Sequence, residues 1–304
     1  MASLKEIACE AKTSIRTVSR VLRGGKNVAV ETKRRVEKAV SKLGYMPNLV
    51  ARSLKTGEKF DVVALIGTYD ELHMEKLAEF EKTMRNSGFR VHILFYRDNK
   101  EVKNLFSHIM AINPAGAAIF QGIKLFSLKQ IQVGFSFVGV GIRDSRIPCV
   151  EVDRHKAVAD AVEYLFNKGH RNIAYLGPFD KSSNERLKGY DSGISRLQLK
   201  KMIYEKHEQV IKGKSRPTAV IVFSDAWAMD LLRFLRSKGI SVPKEIAVIG
   251  FDDRSFAKLA DPPLTTLAQP NKDVGRLSAK ILLDLIKGKP NYQIETIFLP
   301  MKLV

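Results

Sequence analysis

Cysteine is nearly absent from this chain of 304 residues. Cys9 and Cys149 stand far apart, with neither redox-pair nor zinc-ligand spacing, so a disulfide framework and a cysteine-held metal are both excluded. Long apolar runs are missing as well. None approaches the roughly 18 residues that a membrane-spanning helix requires, and the opening MASLKEIACEA carries charges where an export signal must be apolar. A reducing cytoplasm, without membrane association, is the expected setting. Catalytic signatures are equally scarce. There is no phosphate-binding loop of the Walker type and no G-x-S-x-G elbow. His73, His92, His108, His155, His170 and His207 show no metal-binding spacing. GVGIRD at 139–144 has two of the three glycines of a dinucleotide fingerprint and does not clearly open a helix. Asp252 and Asp253 are adjacent carboxylates with no accompanying nucleophile motif. Neither catalysis, nor a cofactor, nor a metal is expected.

Acidic residues are the last shortage. Asp and Glu number 32 against 51 Lys and Arg, a net charge of +19, and residues 1 to 60 hold 14 basic residues against 5 acidic ones. A basic segment this concentrated attracts a polyanion. On charge alone both nucleic acid and an anionic lipid surface remain open.

The basic segment is patterned. Leu4, Ile7, Ala8 and Ala11 recur at helical spacing behind Ser3, which with Glu6 forms a capping box. After a break at Lys12 and Thr13, Ser14 can cap a second helix bearing Val18, Val21 and Leu22, which ends at Gly24 and Gly25. Val36, Ala39, Val40 and Leu43 mark a third helix that stops at Gly44, and Lys33, Arg34, Lys38 and Lys42 lie largely off that stripe. Two short helices flanking a tight turn suit a DNA reader whose second helix enters the major groove. Ile15 and Arg16 then sit at the exposed start of that helix, where Arg16 can bond guanine O6 and N7 together. Thr17, Ser19 and Arg20 lie on adjoining faces, suited to phosphate or, for Arg20, a base. An ordinary helical hairpin would expose the same residues.

Residues 3 to 58 as a whole resemble the headpiece of the lactose-repressor and galactose-repressor family, through SLKEIACEA, SIRTVSRVLRG, ETKRRVEKAV, LGYMPN and ARSLKTG in the family's order. The resemblance implies a headpiece over 1–46, a hinge helix and linker over 47–58, and an effector-binding and dimerisation domain over 59–304. It places Ile15, Arg16 and Arg20 at base-reading positions, Arg23 and Asn27 near the following turn, and Asn48 to Leu54, with Ala51, in the hinge. Ser3, Ser14, Thr17 and Ser19 join the DNA-contact set. Leu54 matches the family's minor-groove wedge, a role that an apolar side chain on a polar linker helix can fill; packing on the headpiece is its alternative. One departure is visible: where the family caps the third helix with Ser or Asp, this chain has Ala29, so Thr32 or Asn27 must compensate or the end frays.

Beyond Gly57, short apolar runs alternate with amphipathic helices: VVALI, VHILF, AAIF, FVGV, CVEV, IAYLG, AVIVF, IAVIGF. Such alternation builds parallel sheets from βαβ units. The family resemblance continues through YLFNKGHRNIAYLG, ERLKGY, RPTAVIVFSDAWAM, GISVPKEIAVIGFDD and DPPLTTLAQP. It implies a periplasmic-binding-protein-like α/β domain of two doubly wound lobes, crossed about three times by the chain. Ligands of such sheets sit beyond the carboxyl ends of strands. That criterion selects Gly67 to His73, Arg186, Ser224, Asp225 and Asp252, and the resemblance carries ligand contacts onto Arg186, Asp252 and Gln269. Arg186 and Asp252 suit a clamp on vicinal hydroxyls of a sugar, though the same pair would also serve as a brace. Where the family has an Asn-Pro-Phe stretch this chain reads TYDELHM, so Tyr69, Asp70 or His73 must take over. Ser224 replaces a longer side chain, and the span 191–216 is short, so an edge strand there is lost or reduced. The expected whole is a dimeric, sugar-responsive repressor of carbohydrate-utilisation genes on a palindromic operator. A free sugar-binding protein would lack the basic headpiece; a repressor answering a protein corepressor, or no effector, fits the sequence equally.

Overall fold

A computed structural model describes residues 2–22, 27–45, 53, 57–97, 99–120, 134–179, 184–212, 215–288 and 294–304. The chain divides into two compact units, 1–59 and 60–304.

In the first unit, α1 spans Leu4–Glu10, α2 Ile15–Leu22 and α3 Val30–Lys42. The capping box at the head of α1 is complete: Glu6 N–H donates to Ser3 Oγ and Ser3 N–H to a Glu6 carboxylate oxygen. Lys12, at φ 49°, makes the left-handed turn that lets α2 leave at an angle. Ser14 Oγ then caps α2 by accepting from Thr17 N–H at 3.1 Å. At the start of α3, no side chain among the described residues forms a cap, and neither Asn27 nor Thr32 compensates for Ala29. Its other end is closed by Gly44 at φ 59°, with Tyr45 N–H returning to Val40 O and Gly44 N–H to Ser41 O. The three helices bury Ile7, Ala11, Val18, Val36 and Ala39 into one small core.

The second unit holds two six-stranded sheets. The first lobe contains β1 (Asp61–Ile66), β2 (Arg90–Phe95), β3 (Gly116–Phe120), β4 (Ser136–Val140), β5 (Cys149–Val152) and, from the far end of the chain, β11 (Thr296–Leu299). All its pairings are parallel, in the order β11-β5-β4-β3-β1-β2. Helices α4 (Glu71–Asn86) and α9 (Asn271–Ile286) cover one face through Leu77, Phe80, Met84, Ile281 and Leu282, and α5 (Asn99–Ile112) covers the other through Phe106 and Ile109. In the second lobe, β6 (Ile173–Leu176), β7 (Ile203–Tyr204), β8 (Ala219–Val222), β9 (Ala247–Asp252) and β10 (Thr265–Ala268) are parallel, and β12 (Lys302–Leu303) closes the edge antiparallel to β10. Helices α6 (Arg154–Asn167) and α7 (Asn184–Arg196) pack on one side and α8 (Asp225–Ser237) on the other. Both sheets are therefore doubly wound, and both present strand carboxyl ends toward the region where the lobes join.

The chain passes between lobes after β5, after β10 and after β11. Every apolar run noted in the sequence is a strand. β10, β11 and β12 escape that criterion because they are short or carry polar residues. The edge strand of the shortened span survives as the two residues of β7. GVGIRD is no nucleotide loop: β4 ends at Val140 and the chain runs through Gly141 into β5 without opening a helix.

Candidate functional site

In the headpiece, the side of α2 away from Val18 and Val21 is open. Ile15 is 47% exposed, Arg16 and Arg20 are exposed one helical turn apart, and Thr17 and Ser19 are half-buried beside them. Part of the polar surface is used locally, since Ser14 Oγ and Thr17 Oγ1 lie 2.9 Å apart in a shared hydrogen bond. Ser3 is exposed but serves as the cap of α1. Asn27 is exposed just before α3. Arg23, Asn48, Ala51 and Leu54 lie outside the described residues. The headpiece thus presents two guanidinium groups and an isoleucine on one helical face, the mixture that major-groove reading requires.

The second cluster lies where the lobes join, and Asp252 is its hub. It ends β9 in a left-handed conformation, φ 110°, followed by Asp253 at φ 54°. Asp252 Oδ1 accepts from Gln269 Nε2 at 2.6 Å and from Arg186 Nη2 at 3.4 Å. The structure therefore brings Arg186, Asp252 and Gln269 together. Arg186 is held between Phe223 and Phe251, its guanidinium carbon 4.3 and 4.0 Å from the two ring centroids. Burial lowers its affinity for a proton to about 10, with Asp252 opposing, so it stays charged at neutral pH.

Other expected ligand residues have local duties. Asp70 caps α4, accepting from His73 N–H at 3.0 Å, and meets the His73 ring at 2.8 Å. Burial raises its pKa, but these hydrogen bonds outweigh burial and hold it at about 2. Tyr69 is 69% exposed and stacks on Phe95, with centroids 4.1 Å apart. Ser224 caps α8 by accepting from Trp227 N–H. Asp225 also has a local duty: it is 0% exposed, with Thr266 Oγ1 donating to one oxygen at 2.6 Å and Arg254 N–H to the other at 2.7 Å. It braces the loop after β9. Burial raises its pKa against those bonds.

Lys76 had not been singled out in the sequence. It is 2% exposed, lies against Gly141, and donates to Gln269 Oε1 at 3.4 Å. Burial and the neighbouring Arg154 lower its pKa to about 8, against the pull of Glu151, Asp252 and Asp70. Glu151, itself buried in β5, pairs with Arg154 at 2.7 Å. Both had a signal. Lys76 falls within the apolar stripe Leu72, Leu77, Phe80 and Met84, and Glu151 interrupts the apolar run CVEV. Further bonds join the lobes at the cluster's edge: Ser255 N–H and Oγ donate to Glu71, and Arg254 approaches Asp70 at 3.9 Å. Among the described residues, no group of acidic, histidine or cysteine side chains is placed to hold a metal ion, and no helix is long and apolar enough to cross a membrane.

Comparison with known proteins agrees with this layout. Residues 3–48 match the model for bacterial regulatory proteins of the lacI family, and residues 162–304 that for a periplasmic binding protein-like domain. The HTH-type transcriptional repressor CytR of Escherichia coli is 28% identical over 95% of this chain and 91% of its own length. The PurR repressor of Vibrio atlanticus is 29% identical over 95% and 93%, and the ribose operon repressor of Haemophilus influenzae 28% over 98% and 96%. Among solved structures, the lac repressor dimer bound to operator and the anti-inducer ONPF superposes with a TM-score of 0.78 at 23% identity, covering 100% of this chain and 97% of that one. The CelR–cellobiose complex gives 0.68 at 23%, over 100% and 98%. A headpiece that matches the lacI-family model and a two-lobed domain follow one another here, and along nearly its whole length the chain is similar to these repressors.

Proposed function

We propose that this chain is a sequence-specific transcriptional repressor that binds a palindromic operator as a dimer and answers a small polar effector held between its lobes. The exposed Ile15, Arg16 and Arg20 face on the second helix of a basic headpiece carries the DNA half of this reading. Arg16 reads base edges, the surrounding basic residues hold phosphates, and residues 47–58 form hinges whose Leu54 wedges into the minor groove between half-sites. Tyr69, Ile93 and Phe95, exposed around edge strand β2, offer an apolar patch for the second copy. For the effector half, Asp252, Arg186 and Gln269 converge where strand ends of the two lobes meet, and two of the relatives are named for ribose and cellobiose. The regulated genes are then those of carbohydrate utilisation. An effector acts by preferring one lobe arrangement over the other.

Selection of bound duplexes from a random pool tests this reading, and it should return an inverted repeat. Arg16→Ala should lower the ratio of operator to scrambled-duplex affinity by about 1 to 3 kcal/mol, with little change in non-specific binding. An unchanged ratio removes Arg16 from base reading.

A further inference from the structure

Beside the Asp252 cluster, a cavity of about 440 Å³ opens between the first turns of α4 and α9 and the loop after β9. In a protein of net charge +19, its wall is acidic: among the described residues, Glu71, Glu75, Asp252, Asp253 and Asp273 face Lys258 and Lys272. Acceptors dominate by bonding as well as by charge. Asn271, 4% exposed, donates through Nδ2 to Glu75, and its Oδ1 is buried without a donor. Asp253 Oδ1 is likewise buried and undonated. A buried acceptor left open is costly, so two of them on one cavity wall mark where donors belong.

Three further observations narrow the class. Among the described residues, no aromatic ring lines the cavity. Phe223 and Phe251 each turn a face to the Arg186 guanidinium, Tyr69 stacks on Phe95, and none of these rings lines the cavity as a platform for a sugar face or a nucleobase. The described acidic groups are too dispersed to hold a metal ion. Lys76, the buried cation of the cluster, bonds Gln269 and lies against Gly141, and it is not part of the cavity wall.

The geometry points to an effector that is a small protonated amine, such as an amino sugar or an aliphatic diamine, with its ammonium group held by Glu75, Asp253 and the Asn271 carbonyl. This rests on the reading that the effector binds between the lobes. Screening at about 8 Å in physiological salt lets a local acidic wall attract a cation despite the basic charge elsewhere.

The test is thermal shift and calorimetry on the full chain with matched probes: glucosamine and galactosamine against glucose and galactose, and 1,4-diaminobutane against 1,4-butanediol. At least one amine should stabilise the protein while its hydroxyl counterpart does not. Asp253→Asn and Glu75→Gln, both isosteric, should each weaken that amine tenfold or more. Stabilisation by neutral sugars that is lost in Arg186→Ala would overturn the amine and leave the interlobe effector site standing. Amine binding indifferent to both substitutions would overturn the site. If no probe binds, the proposal and the effector reading fall together.

Discussion

Lys76 is a lysine where α4 would otherwise place an aliphatic residue, and its position has a thermodynamic cost. Its pKa of about 8 lies below the ordinary 10.5, so the unfolded chain holds the proton more tightly than the native one. The penalty is fully present below pH 8 and fades as pH rises toward 10.5, where the amine is neutral in both states. The gap corresponds to about 3 kcal/mol. Urea unfolding at pH 7, 8.5 and 10 should therefore show wild type gaining stability relative to Lys76→Met by an amount of that order across the window. A constant difference between the two proteins would mean that Lys76 is hydrated in the native state. Arg186 belongs to the same cluster but stays charged through pH 7 to 8.5, where Lys76 already loses its proton, and it faces two rings.

Among the elements, α3 shows where local sequence and tertiary packing part company. Its first turn has no side-chain cap, and Val30 at its start is 85% exposed, yet the helix forms because Val36 and Ala39 are buried against α1 and α2. Ala29→Ser should supply the missing acceptor and add about 1 kcal/mol, read as roughly fivefold slower hydrogen exchange at the first amides of α3. No change there would indicate that water already satisfies those amides. Elements were legible in the sequence where burial was two-sided or strictly periodic: the parallel strands and the headpiece stripes, whose Ile7, Ala11, Val18, Val36 and Ala39 reach the core. The hub of the candidate site was legible too, since strand ends select Asp252 and Arg186. What the sequence hid was which polar groups serve the fold. Asp225 and Ser224 follow a strand just as a ligand residue would, but their oxygens are taken by Thr266, Arg254 and Trp227, partners that only tertiary structure supplies. Lys76 was masked in the opposite way, as one charge inside an apolar stripe.

At the scale of the whole molecule, basic charge is crowded into the headpiece, and this sets how DNA affinity responds to salt. A dimer neutralising some 6 to 10 phosphates should lose about a thousandfold or more in affinity between 50 and 200 mM salt. The preference for operator over scrambled duplex should change much less, because hydrogen bonds to base edges release few counterions. Fluorescence anisotropy at four salt concentrations gives both slopes. A shallow slope for the scrambled duplex would show that the +19 charge is spread away from the DNA face.

The three passages between lobes also govern the order in which a growing chain can be completed. The second lobe is drawn almost wholly from the continuous stretch 153–269, with only β12 added later. The first lobe starts earlier in the sequence but waits longer: one wall of its core is α9, and its outer strand is β11. Until residue 286 leaves the ribosome, Phe80, Met84 and the inner face of β1 lack the helix that covers them. Of the two lobes, the one begun first therefore waits longer for its main core helix, and the half-built first lobe is the species most in need of chaperone shelter during synthesis.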